Sequence, residues 1–154
     1  MSDIEAKLTD LGLSLPNAPA PAANYIPYVV TGKLVFVSGQ ISIAADGSLI
    51  TGKVGADLDT AAGAKAAERC ALGLLAQAKA ACGGDFSKLK RVVKLTGFVN
   101  STPEFSEQPK VINGASDLLV AAMGEAGRHS RSAVSAGALP LNVAVEIEGI
   151  FELV

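Results

Sequence analysis

The chain has 154 residues, 49% of them hydrophobic and only 18% charged, with a net charge of −2, two cysteines and a single histidine. That length suits one domain of roughly 100 to 200 residues, and so low a charge content, against about a quarter in typical globular domains, implies that part of the apolar surface meets another subunit. No stretch approaches the ~20 apolar residues of a membrane helix and no Lys/Arg run offers phosphate contacts, which sets aside a membrane span and argues against nucleic acid as a partner.

Met1 to Leu13 alternates acids with apolar residues and lacks the basic head of a signal peptide, so a cytoplasmic location is expected. Ser2 and Glu5 have capping-box spacing, and Ile4, Leu8 and Leu11 recur with a helical period, predicting a short amphipathic helix that ends near Gly12. Pro16, Pro19 and Pro21 hold the residues before them in extended geometry, which predicts a surface linker. Residues 1–15 thus read as an N-terminal helical extension, and 16–154 as the main domain.

Tyr25–Val30 and Lys33–Ser38 are β-branched and aromatic runs around Thr31-Gly32, the pattern of a hairpin. After the turn Ala45-Asp46-Gly47, the acidic start Asp57-Leu-Asp-Thr opens a helix that runs to about Ala81 and stops at Gly83-Gly84. Cys70 and Cys82 fall in that helix about 18 Å apart along its axis, beyond disulfide reach, and read as buried thiols. Leu89–Val99 predicts a strand, Pro109–Ala126 a second long helix, and Arg131–Ala136 and Val143–Leu153 two closing strands. The fold class is α+β, a sheet with two long helices on one face and a short N-terminal helix. Its other face is left to be covered, and a cyclic homo-oligomer is the simplest cover.

The chain carries no phosphate-binding loop, no dinucleotide fingerprint, no HExxH and no nucleophile elbow. His129, the lone histidine, lies between Arg128 and Arg131, where a solvent-facing or capping role is expected, and neither cysteine has a ligand partner for zinc. Arg131 opens an otherwise apolar strand: it forms either an edge ion pair or a carboxylate clamp, the planar fork of arginine matching a carboxylate through two parallel hydrogen bonds. Glu146 and Glu148 share one face of the last strand, either simply solvated or holding a water.

Three blocks, Ser38-Gly39-Gln40-Ile41, Arg131-Ser-Ala-Val with Leu139-Pro140, and Val145-Glu-Ile-Glu-Gly-Ile150, resemble signatures of the RidA/YjgF family in the same order, over about Pro19 to Phe151. The resemblance implies a chorismate-mutase-like α+β fold assembled as a homotrimer, with clefts between subunits. It also implies cofactor-free hydrolysis of small 2-imino acids to 2-oxo acids and ammonia. Carried over residue by residue, Arg131 binds the substrate carboxylate with support from the backbone N–H of Ala133, and Glu146 activates water. Gly39 faces the imine nitrogen through its carbonyl, Tyr25 (or its rival Tyr28) lines the pocket, and Asn113 aligns with a family asparagine across an insertion. Ala133 stands where the family has cysteine, and the Ser135–Ala138 stretch also departs from well-known members; with the N-terminal helix this marks a longer subfamily. Two other readings stand beside the deaminase: a non-catalytic sensor of small carboxylates, and the endoribonuclease activity for which relatives are named.

Overall fold

The computed structural model describes residues 3–18 and 23–154. Ser2 of the expected capping box and the linker prolines Pro19 and Pro21 lie outside the described residues. The elements run α1 (Asp3–Asp10), β1 (Tyr28–Thr31), β2 (Leu34–Ile41), α2 (Thr60–Ala81), β3 (Leu89–Asn100), α3 (Gln108–Met123), β4 (Ser130–Ala136) and β5 (Val145–Leu153), with 3-10 turns at Phe86–Lys88, Gly124–Gly127 and Pro140–Asn142. This is the order the sequence predicts. The largest difference is at the hairpin, where Tyr25–Pro27 stay outside the strand and β2 runs on through Ile41. Two prolines' worth of constraint is not needed to explain this: Pro27 alone removes a ladder donor at the strand's start.

Local chemistry sets the helix ends. Asp59 caps α2, its side chain accepting the N–H of Ala62 at 2.7 Å. Gly83 and Gly84 stop the helix with φ of +67° and +88°, a region open to glycine at no steric cost.

The sheet has the order β1-β2-β5-β3-β4, antiparallel throughout except for the parallel pair β3–β4. Strands alternate, so Val35, Val37, Val92, Leu95, Val99, Val145, Ile147 and Phe151 form the buried face under α2 and α3. Helix α1 adds Leu8 to the same core and ties itself to α2 through a Glu5–Lys79 ion pair.

Small residues let the two long helices touch. A Cβ at Gly114 of α3 would enter the backbone carbonyl of Ala64 in α2, and a Cβ at Gly63 would sit 3.1 Å from Val111. Gly114→Ala is therefore expected to destabilise the fold by about 3 kcal/mol, the upper range for overpacking, measured as a fall in the denaturant midpoint; unchanged stability would show that the helices have room to part.

Among the described residues no element covers the opposite face. Val29, Leu34, Phe36 and Val134 are 48%, 36%, 42% and 43% exposed, and Phe36 lies in register between Val29 and Ile150. Exposed apolar patches of this kind mark interaction surfaces.

Candidate functional site

The residues singled out by the sequence fall into two groups, one on each side of the sheet. The first gathers on the open face. Val37 pairs with Gly149 and Gln40 with Ile147, so β2 carries one extra residue there and Ser38-Gly39 forms a β-bulge. The Gln40 side chain folds back and donates to the Ser38 carbonyl at 2.9 Å, holding the bulge. Ser38 in turn clasps the preceding segment: its Oγ donates to Ile26 O at 2.8 Å and its N–H to Pro27 O at 2.9 Å. Tyr25, just before this clasp, is 46% exposed, whereas Tyr28 is half-buried and packs against the core. Tyr25 is thus the tyrosine able to reach beyond its own chain.

Glu146 lies in register with Ile41 on one side and Phe98 on the other, and any Cβ at position 39 would collide with its carboxyl. Gly39 and Glu146 are therefore close neighbours, and a side chain at position 39 would make the Glu146 carboxyl move aside. Burial beside these residues pushes the Glu146 carboxyl above the usual carboxylate range, and Glu148 on the same face adds like-charge repulsion. A carboxyl whose folded-state pKa is raised binds its proton more tightly than in the unfolded chain, so ionising it lowers stability as pH rises through and above its normal range. Glu146→Gln is expected to raise the melting temperature at pH 7 by about a degree or two, with the gain vanishing by pH 4. Equal melting temperatures at pH 7 would contradict this environment.

The second group sits at the helix side of edge strand β4. Arg131 is in register with buried Leu95, and Ala133 with Gly97, so both point toward the helices. The guanidinium bridges α3: Nη1 donates to Ser116 Oγ at 3.0 Å and Nη2 to the Pro109 carbonyl at 3.1 Å. Asn113 is on the same helix face, between residues 109 and 116 at helical spacing, and is exposed. The edge ion pair considered from the sequence does not form: among the described residues no carboxylate lies within ion-pair distance of Arg131. Of the five N–H donors of a guanidinium, three remain for a ligand.

Arg131 and Glu146 thus stand on opposite faces of one sheet. Val134, which shares the register of Phe98 and Glu146, is three residues from Arg131, on the order of 10 Å along the strand. One chain does not bring the two together. Nor do they line the groove of about 500 Å³ between α1 and α2, whose walls include Leu8, Leu13, Leu15, Lys79 and Gly84.

Of the two roles expected for His129, the structure shows the capping one, at the last carbonyl of the turn Gly124–Gly127. His129 is half-buried, with Nδ1 2.6 Å from the Gly127 carbonyl and Nε2 2.9 Å from Ser116 Oγ, the same hydroxyl that holds Arg131. Sequence reasoning named Gln40 only as part of a signature block, without its role in holding the bulge, and passed over Ser116, because nothing in the spacing couples residue 116 to residue 131. Both cysteines are free and buried, and among the described residues no group of three potential metal ligands forms and no helix is long and apolar enough to cross a membrane.

Comparisons with known proteins agree with this architecture. The family model described as "YjgF/chorismate_mutase-like, putative endoribonuclease" matches residues 5–153. Protein TCP17 of Trypanosoma cruzi is 48% identical over 151 residues, covering 97% of this chain and 94% of its own. The crystal structure of Atu1372, a protein of unknown function from Agrobacterium tumefaciens, superposes with a TM-score of 0.92 at 50% identity, covering 99% of this chain and 93% of that one. That of the YjgF gene product of E. coli gives 0.61 at 29% identity, covering 88% and 93%. The family match over nearly the whole length agrees with the α+β architecture, and the chain belongs to the RidA/YjgF family of chorismate-mutase-like proteins.

Proposed function

We propose that the protein hydrolyses small 2-imino acids, and their enamine tautomers, to 2-oxo acids and ammonia, in clefts shared by neighbouring subunits of a homotrimer. The observation that carries this reading is Arg131: a guanidinium anchored by α3, without a carboxylate partner among the described residues, and with donors to spare. The opposite orientation of Glu146 supports a shared cleft, since a substrate can meet both groups only where one subunit's β4 edge approaches another's open face. In that cleft Arg131 and the Ala133 N–H hold the carboxylate, Asn113 lies at the rim, and Gly39, Glu146 and Tyr25 come from the facing chain. Residues 16–154 carry this machinery, with 1–15 as an added helical layer.

The chemistry asks little. A water oxygen attacks the C=N carbon of the protonated imine as the Glu146 carboxylate takes one of its protons, and the π electrons become the lone pair of an amine nitrogen. Glu146 then gives its proton to that nitrogen, the C–N bond breaks to release ammonia, and the hydroxyl passes its proton to the Glu146 carboxylate, and from there to solvent, as the 2-oxo group forms. The raised pKa of Glu146 brings a carboxylate base nearer to neutral pH, where such transfers are most effective. Two-point binding by Arg131 supplies orientation. No cofactor enters these steps.

The test is to generate 2-iminobutanoate in situ with an amino-acid-oxidising enzyme and follow its decay. Wild-type protein should accelerate hydrolysis, and Arg131→Ala should lower kcat/KM roughly 100- to 1,000-fold, as expected for loss of a charge-assisted pair of hydrogen bonds. Equal inertness of both proteins, with 2-oxobutanoate still bound through Arg131, would establish a carboxylate-sensing module instead. The endoribonuclease reading has less support in this geometry, because the single histidine is engaged by Gly127 and Ser116 and has no paired acid.

A further inference from the structure

We propose that His129 and Ser116 are positioning residues that orient Arg131 for a ligand carboxylate, through a directed hydrogen-bond relay running Gly127, His129, Ser116, Arg131. The proposal rests on the reading of Arg131 as the carboxylate-binding group.

The direction of the relay follows from its far end. A backbone carbonyl only accepts, so the 2.6 Å contact of His129 Nδ1 with Gly127 O places the ring proton on Nδ1. In the neutral ring Nε2 is then an acceptor, and the contact at 2.9 Å must be filled by the Ser116 hydroxyl proton. That leaves the Ser116 lone pairs facing Arg131, whose Nη1 donates to the same oxygen at 3.0 Å. Each link allows one arrangement, and the guanidinium gains an acceptor of fixed direction. The neutral ring is the form favoured here: burial lowers the His129 pKa, opposed by the Gly127 hydrogen bond, and the Arg131 charge lowers it further.

The far anchor is also rigid. Gly127 lies so close to α3 that any Cβ there would enter the Leu119 carbonyl, and Arg91 Nη2 donates to the Arg128 carbonyl at 3.2 Å. Ser116 lies in the middle of α3, and Gly127 ends the 3-10 turn that follows α3 and packs against Leu119 of that helix, so the ring ties the turn to the helix. The second guanidinium contact, Pro109 O, belongs to that helix too. Without the relay, Nη1 faces a hydroxyl free to rotate, and the fork is held at Nη2 alone.

The experiment measures 2-oxobutanoate affinity by calorimetry, and kcat and KM on 2-iminobutanoate, for wild type, Ser116→Ala, Ser116→Thr, His129→Ala, the double variant His129→Ala with Ser116→Ala, and Arg131→Ala. Ser116→Ala and His129→Ala should each weaken 2-oxobutanoate binding and raise KM about tenfold, the range of one hydrogen bond to a charged group, with kcat little changed. Ser116→Thr should restore most of the loss, and the double variant should be no worse than Ser116→Ala, because His129 acts only through that hydroxyl. Since the chain holds one histidine, ¹⁵N NMR of the ring reads the tautomer without assignment and should show the proton on Nδ1. A proton on Nε2, or unchanged binding in both single variants while Arg131→Ala loses it, overturns the relay and leaves the reading of Arg131 intact. Binding that survives Arg131→Ala overturns both.

Discussion

Two inactive variants are expected to restore activity to each other when their subunits are mixed. Arg131→Ala removes the carboxylate fork, and Glu146→Gln removes the proton acceptor, a change that lowers kcat roughly 100- to 10,000-fold when a general base is lost. Arg131 is directed to the helix side at β4 and Glu146 to the open side on β5, so in the proposed trimer each cleft takes one group from each of two chains. In randomly mixed trimers a cleft is intact when the guanidinium comes from a Glu146→Gln chain and the carboxylate from an Arg131→Ala chain. In a cyclic trimer that contains both variants, one cleft of its three, about a third, meets that condition. Co-expression followed by purification of mixed trimers, verified by mass spectrometry, should therefore give about a third of wild-type turnover, far above either parent. No recovery in verified mixed trimers would mean that both groups serve a cleft from the same chain, against the orientation seen in the sheet.

The second large effect is expected on assembly itself. Phe36 lies in the middle of the open face, between Val29 and Ile150, and is 42% exposed within one chain. Phe36→Asp would place an unpaired carboxylate where the subunits of the proposed trimer meet, a desolvation penalty of several kcal/mol per ion set against apolar contacts of similar size. Sedimentation should shift from a trimer to the 15.6 kDa chain, and 2-iminobutanoate hydrolysis should disappear with it, although no substituted atom touches the proposed substrate. Far-ultraviolet circular dichroism should stay near wild type, because Phe36 points away from the core that holds the strand. A Phe36→Asp protein that remains trimeric and active would show that the open face is not the subunit contact.

Much of this was legible from residue patterns. The alternation in Val145–Leu153 announced a strand with one buried face and put Glu146 and Glu148 together on the other, and Asp59 and Gly83-Gly84 marked the ends of α2. Those signals are local: side-chain direction in a strand repeats every two residues, and caps act within one turn. The hairpin was legible in kind but not in extent, because Ser38-Gly39 reads as an ordinary continuation until the partner strand shows one residue fewer opposite it. A bulge is a property of two strands, and neither sequence alone contains it.

The site divides in the same way. Residue pattern alone left Arg131 between an edge ion pair and a carboxylate clamp, and Glu146 between a solvated and a water-holding role; the resemblance of three short blocks to one family is what singled out Arg131, Glu146 and Gly39 as the proposed site. The sequence by its pattern did determine the two-layer α+β arrangement, because the apolar period of each element can be satisfied in few ways. Only the tertiary structure decided that Arg131 and Glu146 face opposite sides of one sheet, that the Glu146 carboxyl occupies the space a side chain at Gly39 would take, and that the histidine is linked to the arginine through Ser116. These relations join residues from 13 to 107 positions apart, and their geometry comes from strand order, register and the seating of α3, which depend on how the whole core packs and not on any short stretch of chain.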